Sequence, residues 1–313
     1  MRRRPRPPGF GCAARLAGGG RPHNRRMLLG IDFTCAPGAR KPIVVARGRM
    51  AGAVLRLERL EALASLGAFE SLLAEPGPWL GAFDFPFGLP REFVDALSLG
   101  TTAAGVSAEL HRRCAARMDF RALVDAWGNG RSPGQRLVHR ATDTAMAGVR
   151  STSPLQTRYV PVGFMYFEGF SRLLSAGVHL PALHGGDTGR VALEAYPGLV
   201  AHQLIGQRSY KNSAAADRLI ARKDLVDALE QGRWHGLRLK LTHAQREALV
   251  DDAGGDRLDA ALCLLQAGWA TTQPRHGQPA AVDAVEGWIT GAGADGSAPA
   301  PGTIARLTRE PAT

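Results

Sequence analysis

Apolar positions recur along this chain with two different spacings. "LLGIDFT" at 28–34, "IVVARG" at 43–48 and "AVLRLERL" at 53–60 are short runs separated by the loop "CAPGARKP" and a turn around Gly52. They predict three strands in an antiparallel meander. "EALASLGAFESLLAE" then sets Leu63, Leu66, Phe69, Leu72 and Leu73 at helical spacing, and "GPWLGAFDFP" follows as a fourth strand. That strand is apolar on both faces, which suits a sheet interior. From about residue 91 to 187 the pattern is helical, broken at "SLGTTAAG", "GNGRSPG" and "STSP". This stretch is too long for a connection and predicts an inserted helical subdomain. "GRVALEAYP" at 189–197 supplies a fifth strand, and helical patterns follow in "GLVAHQLIG", "SAAADRLIARKDLVDALEQG", "THAQREALVDDAG" and "DRLDAALCLLQAGWAT". "EGWIT" at 286–290 predicts a short closing strand. The order implies an α/β sheet with a leading meander and later parallel strands.

Composition adds little until the charge is located. The net charge is +11, but residues 1–26 carry eight arginines and no acid, leaving 31 basic against 28 acidic residues elsewhere. This Arg/Pro/Gly-rich start is expected to be a disordered tail, as is the stretch from Gly291 onward. Before Asp32, the twin arginines 25 and 26 are followed only by "MLLGI", too short for the apolar core of a signal peptide. No stretch of 18 apolar residues is present, so no membrane partner and a cytoplasmic location are expected. Cysteines 12, 35, 114 and 263 show neither a C-x-x-C pair nor zinc-ligand spacing, and read as free thiols.

The chemistry-bearing pattern is a set of acids at strand ends. Asp32 closes the first strand, Asp84 the fourth and Glu194 the fifth, where ligands bind in open α/β sheets. Asp256 and Asp259, three apart at the start of the last helix, offer a fourth acid. Each also has a plain explanation. Asp32 and Asp84 could bond turn amides, Glu194 could pair with an arginine, Asp256 could be an N-cap and Asp259 could favour the helix dipole. Taken together the acids read differently, because two carboxylates about 4 Å apart repel by roughly 1 to 4 kcal/mol. A bound cation removes that cost. Mg²⁺ or Mn²⁺ takes oxygen ligands, and two such ions can activate water for phosphodiester cleavage.

"GIDFTCAP" with its following hairpin, "FDFPFGLP", "LEAYPG", the "YK" pair with downstream "RLIARK", and "DRLDAALCLLQAGWAT" with a late "EGWI" resemble one family. It is the domain of unknown function 429 family, described as predicted RNase H-like nucleases, and the resemblance spans roughly residues 28–290. It implies a ribonuclease-H-like five-stranded mixed sheet and a catalytic acidic set at Asp32, Asp84, Glu194 and Asp259. Asp256 is the alternative for the last. The implied activity is a metal-dependent nuclease acting on RNA or DNA, with two ions of Mg²⁺ or Mn²⁺ suspected. The long insertion departs from the minimal layout.

For a nucleic-acid partner, residues 103–160 carry nine arginines (112, 113, 117, 121, 131, 136, 140, 150 and 158) against four acids. They read either as a basic wall tracking phosphates, with Arg140 and Arg150 as candidate contacts, or as a solvated surface. Lys211, Arg218, Arg222 and Lys223 lie on or beside the helix after the fifth strand, and one of them is expected to reach a phosphate. Tyr159, Phe164, Tyr166, Phe167 and Phe170 have the spacing of helix core, with base stacking as the other reading. Two further functions compete. An actin-like ATPase or kinase would need Gly and Thr closely after the first acid, whereas "DFTCAPG" delays Gly to 38. A noncatalytic nucleic-acid-binding protein would use the acids only to cap turns. No P-loop and no G-x-S-x-G elbow occurs.

Overall fold

The structure is a computed structural model that describes residues 26–146 and 148–294. The expected tails, and Cys12, therefore lie almost wholly outside the described residues. Cysteines 35, 114 and 263 are free and buried.

The meander forms as β1 (Met27–Asp32), β2 (Ile43–Ala51) and β3 (Val54–Leu63), paired antiparallel in that order. β3 runs to Leu63 because it stays paired with β2 up to Ile43, so the helix expected from residue 61 starts later. That helix, α1 (Leu66–Leu73), is capped by Ser65, whose hydroxyl accepts from the Ala68 amide at 3.1 Å. β4 (Trp79–Phe83) lies parallel to β1. Next come α2 (Arg91–Ala96), α3 (Ala103–Arg113), α4 (Arg117–Gly128) and α5 (Val162–Ser175), with β5 (Val178–His179) leading to β6 (Asp187–Glu194). β6 is parallel to β4, and Pro197 ends the extended run by opening α6 (Pro197–Ile205). The chain closes with α7 (Ala216–Glu230), β7 (Arg238–Lys240), α8 (His243–Val250) and α9 (Asp256–Ala270).

The sheet has seven strands in the order β5-β6-β4-β1-β2-β3-β7, not the five expected. The two additions are edge strands of two and three residues, β5 against β6 and β7 against β3, too short to show a period in sequence. "EGWIT" contributes a single parallel bridge, Ile289 to Glu194, and not a strand.

Alternation along the strands divides the core into two layers. Leu28, Val44, Ala46, Leu80, Ala82, Val191 and Leu193 face α6 to α9. Leu29, Ile31, Val45, Trp79, Phe83 and Ala192 face α1 to α5. α9 is buried at every position from Leu258 to Ala270 and lies directly across β1. That approach depends on Gly30, where a Cβ would come within 2.1 Å of the Ala260 carbonyl oxygen and of the Leu264 amide nitrogen.

Candidate metal centre

Strand register and pleat decide which acids meet. β1 and β4 are parallel neighbours with Ile31 opposite Phe83, and the Asp84 amide donates to the Ile31 carbonyl at 2.9 Å. Asp32 and Asp84 therefore leave the sheet level with each other. Asp32 continues the face of Leu28 and Gly30, and Asp84 that of Leu80 and Ala82, so both point toward the N-terminal end of α9. Asp259 stands there in the first turn. One carboxylate oxygen from each of Asp32, Asp84 and Asp259 lies within 4.8 Å of the others. On the opposite face Phe33, Phe85 and Phe87 pack with Phe69, Phe83 and Phe170, which fixes the backbone on both sides of Asp84.

Two of the three carboxylates lack compensation. Asp32 is 8% exposed, and neither it nor Asp84 makes a side-chain hydrogen bond or ion pair among the described residues. Burial pushes the Asp32 carboxyl well up, and the charges of Asp259, Asp84 and Asp256 add to the shift. Burial likewise raises Asp84 to about 7; Lys211 opposes the shift and Asp259 and Glu194 reinforce it. Asp259 differs, because it accepts from the Tyr210 hydroxyl on one oxygen and from the Lys211 ammonium on the other. Burial disfavours the Lys211 charge, but Asp259 and Asp84 outweigh it and raise its pKa. Asp256 pairs with Lys41 at 2.5 Å beside the trio. It is the first helical residue and not the N-cap, which is Gly255 in the left-handed region at φ 85°. This donor set suits a hard cation: three carboxylates converge, and two of them have no direct hydrogen-bond or ion-pair partner among the described residues.

Glu194 is turned away from this group. Its register partner is Phe83, one residue before Asp84, so the pleat sends it to the face of Phe83 and Ala192. There Arg140 donates to both its oxygens, at 2.5 and 2.8 Å, and the Phe87 amide donates at 2.9 Å. Arg140 also pairs with Asp143, which accepts from the Ser151 hydroxyl at 2.6 Å. All three charged residues of this cluster are buried. Burial opposes the Arg140 charge, but Asp143 and Glu194 overcome it and raise the guanidinium pKa. Arg140, expected at the substrate, is thus a closed internal counter-ion. It also donates to the Glu286 carbonyl at 2.9 Å, tying the insertion to the C-terminal segment.

Arg222 is likewise no surface group. It donates to the Val250, Tyr210 and Ser213 carbonyls at 2.7, 2.8 and 3.1 Å, and is 2% exposed. A signal for this was present, since Arg222 shares the helical stripe of buried Leu225, Val226 and Leu229. Lys223 and Arg150 are exposed, and Arg218 sits beside Asp217 at 3.5 Å. Much of the arginine-rich segment is paired internally: Arg112 and Arg113 with Glu109, Arg131 with Glu92, and Arg158 with Asp125. Arg117 donates to the Cys35 carbonyl at 2.9 Å, and Arg121 to the Thr157 carbonyl. On α5, Phe164, Tyr166, Phe167 and Phe170 are core, while Tyr159 is 99% exposed. Lys41 and the Tyr210 hydroxyl were not picked out as functional from the sequence, because their acids lie 215 and 49 positions away.

The family described as "Protein of unknown function (DUF429)" matches residues 30–281, well over half of the chain. The chain belongs to this family. Its matched segment contains every acid of the trio, both flanking lysines and all of residues 91–187. Comparisons with curated proteins and with solved structures gave no match. No helix among the described residues is long and apolar enough to cross a membrane.

Proposed function

We propose that this protein is a metal-dependent phosphodiester hydrolase, a nuclease of RNA or DNA on a ribonuclease-H-like core. The observation that carries this reading is the pair Asp32 and Asp84. They are two carboxylates that make no side-chain hydrogen bond or ion pair among the described residues, at the ends of adjacent parallel strands and joined by Asp259. The central strands β3-β2-β1-β4-β6 keep the meander-then-parallel order that the family resemblance implies, which supports the same reading.

Asp32, Asp84 and Asp259 would hold Mg²⁺ or Mn²⁺, which when bound supplies Lewis-acid polarisation of a phosphoryl oxygen and a more acidic water. The protein's own groups do the rest. Tyr210 and Lys211 orient the Asp259 carboxylate. The Lys211 side chain is 37% exposed, and in this reading its ammonium, held by Asp259, also meets a phosphate of the substrate. Exposed Lys223 and Arg150 offer further backbone contacts in this reading, and nucleic acid as partner in the cytoplasm belongs to it as well.

The test is cleavage of structured and single-stranded RNA and DNA by purified protein with Mg²⁺ or Mn²⁺. Cleavage is expected to be lost on chelation and to fall about a hundredfold or more in Asp32→Asn and Asp84→Asn. Absence of cleavage on every substrate, or cleavage that survives both substitutions, contradicts the reading.

A further inference from the structure

Lysine is rare in this chain: four lysines stand against 35 arginines. Two of the four, Lys41 and Lys211, are the cations at the acidic centre. When all are ionised, Asp32, Asp84, Asp256 and Asp259 bring four negative charges, and these lysines pair with two of them, Asp256 and Asp259. Asp32 and Asp84 have no direct hydrogen-bond or ion-pair partner among the described residues, and Asp32 is 8% exposed with its carboxylate aimed into the trio. One dication balances that remainder; a second would leave the same excess with the opposite sign, in a site where Asp259 is 2% exposed.

Lys211 is also built into place. Arg222 grips the carbonyls on either side of it, at Tyr210 and Ser213. The Asn212 and Ser213 amides donate to the Gly254 and Ala253 carbonyls at 3.4 and 3.2 Å. Gly255 leaves room for it, since a Cβ there would come within 2.6 Å of the Lys211 Cβ. The Lys211 ammonium and the Tyr210 hydroxyl each donate one hydrogen bond to Asp259, on separate oxygens, which leaves each oxygen a further lone pair.

We propose that Lys211 takes the place of a second metal ion, so that the centre binds one divalent cation per chain, among Asp32, Asp84 and Asp259. The proposal rests on the metal-centre reading above and replaces the expected pair of ions with one ion and one ammonium.

Calorimetric titration of metal-free full-length protein with Mn²⁺, with free Mn²⁺ counted by electron paramagnetic resonance, tests it without any substrate. The wild type and Lys211→Arg are expected to bind one ion per chain. Lys211→Met is expected to bind a second ion, or to hold the first about tenfold tighter. Two ions in the wild type overturn the proposal, as does a Lys211→Met variant unchanged in both number and affinity. No Mn²⁺ binding by the wild type overturns the metal centre itself, which separates the two failures. Circular dichroism checks folding, and if Lys211→Met does not fold, the ion number of the wild type and Lys211→Arg decides.

Discussion

Asp84 makes no side-chain hydrogen bond or ion pair among the described residues. Its carboxyl is raised from 3.8 to about 7, chiefly by burial and then by neighbouring carboxylates. A group that holds its proton more tightly folded than unfolded makes stability fall as pH rises between those two values. Without divalent ions, the Asp84 contribution should therefore make stability decline from near pH 4 to about pH 7. Asp32, shifted in the same direction, adds to the slope. Asp84→Asn should flatten part of that slope and stabilise the metal-free protein by about 1–2 kcal/mol at pH 8. Denaturant melts of both proteins across this range provide the check, and a slope of opposite sign would contradict the electrostatic account. Mn²⁺ should restore the stability of the wild type more than that of the variant.

At the scale of elements, register and pleat determine which charged groups can meet. Asp32 and Asp84 were legible in the sequence as acids at strand ends, and the start of α9 as the source of another, because these are local patterns; the family resemblance favoured Asp259 over Asp256 there. Glu194 stood at a strand end too, but its face depends on pairing with Phe83, a relation that no local pattern encodes. The partnership of Arg140 with Glu194 joins positions 54 apart, and that of Lys41 with Asp256 joins positions 215 apart. Edge strands β5 and β7 escaped for a different reason, having too few residues to display alternation. The Glu194 geometry has a measurable consequence. Arg140→Met leaves Glu194 and Asp143 buried without their cation and should destabilise the fold by about 3–5 kcal/mol. Glu194→Gln, by contrast, should change Mn²⁺ affinity far less than Asp84→Asn does. Thermal melts and Mn²⁺ titrations separate these roles; equal losses of Mn²⁺ affinity would return Glu194 to the metal set.

The whole molecule separates a charged surface from a small acidic centre. Eight of its arginines precede Met27, and much of the arginine-rich insertion is spent on internal pairs. Basic charge alone is therefore a poor guide to what this fold does. What distinguishes it is α9, buried across β1 through Gly30, which brings Asp259 to the same sheet end as Asp32 and Asp84. The most direct measurement is anomalous diffraction from crystals soaked in Mn²⁺. The account predicts a peak among the carboxylate oxygens of Asp32, Asp84 and Asp259, absent in Asp84→Asn crystals. A soaked crystal with no peak at that position, or with the same peak in the variant, would contradict it.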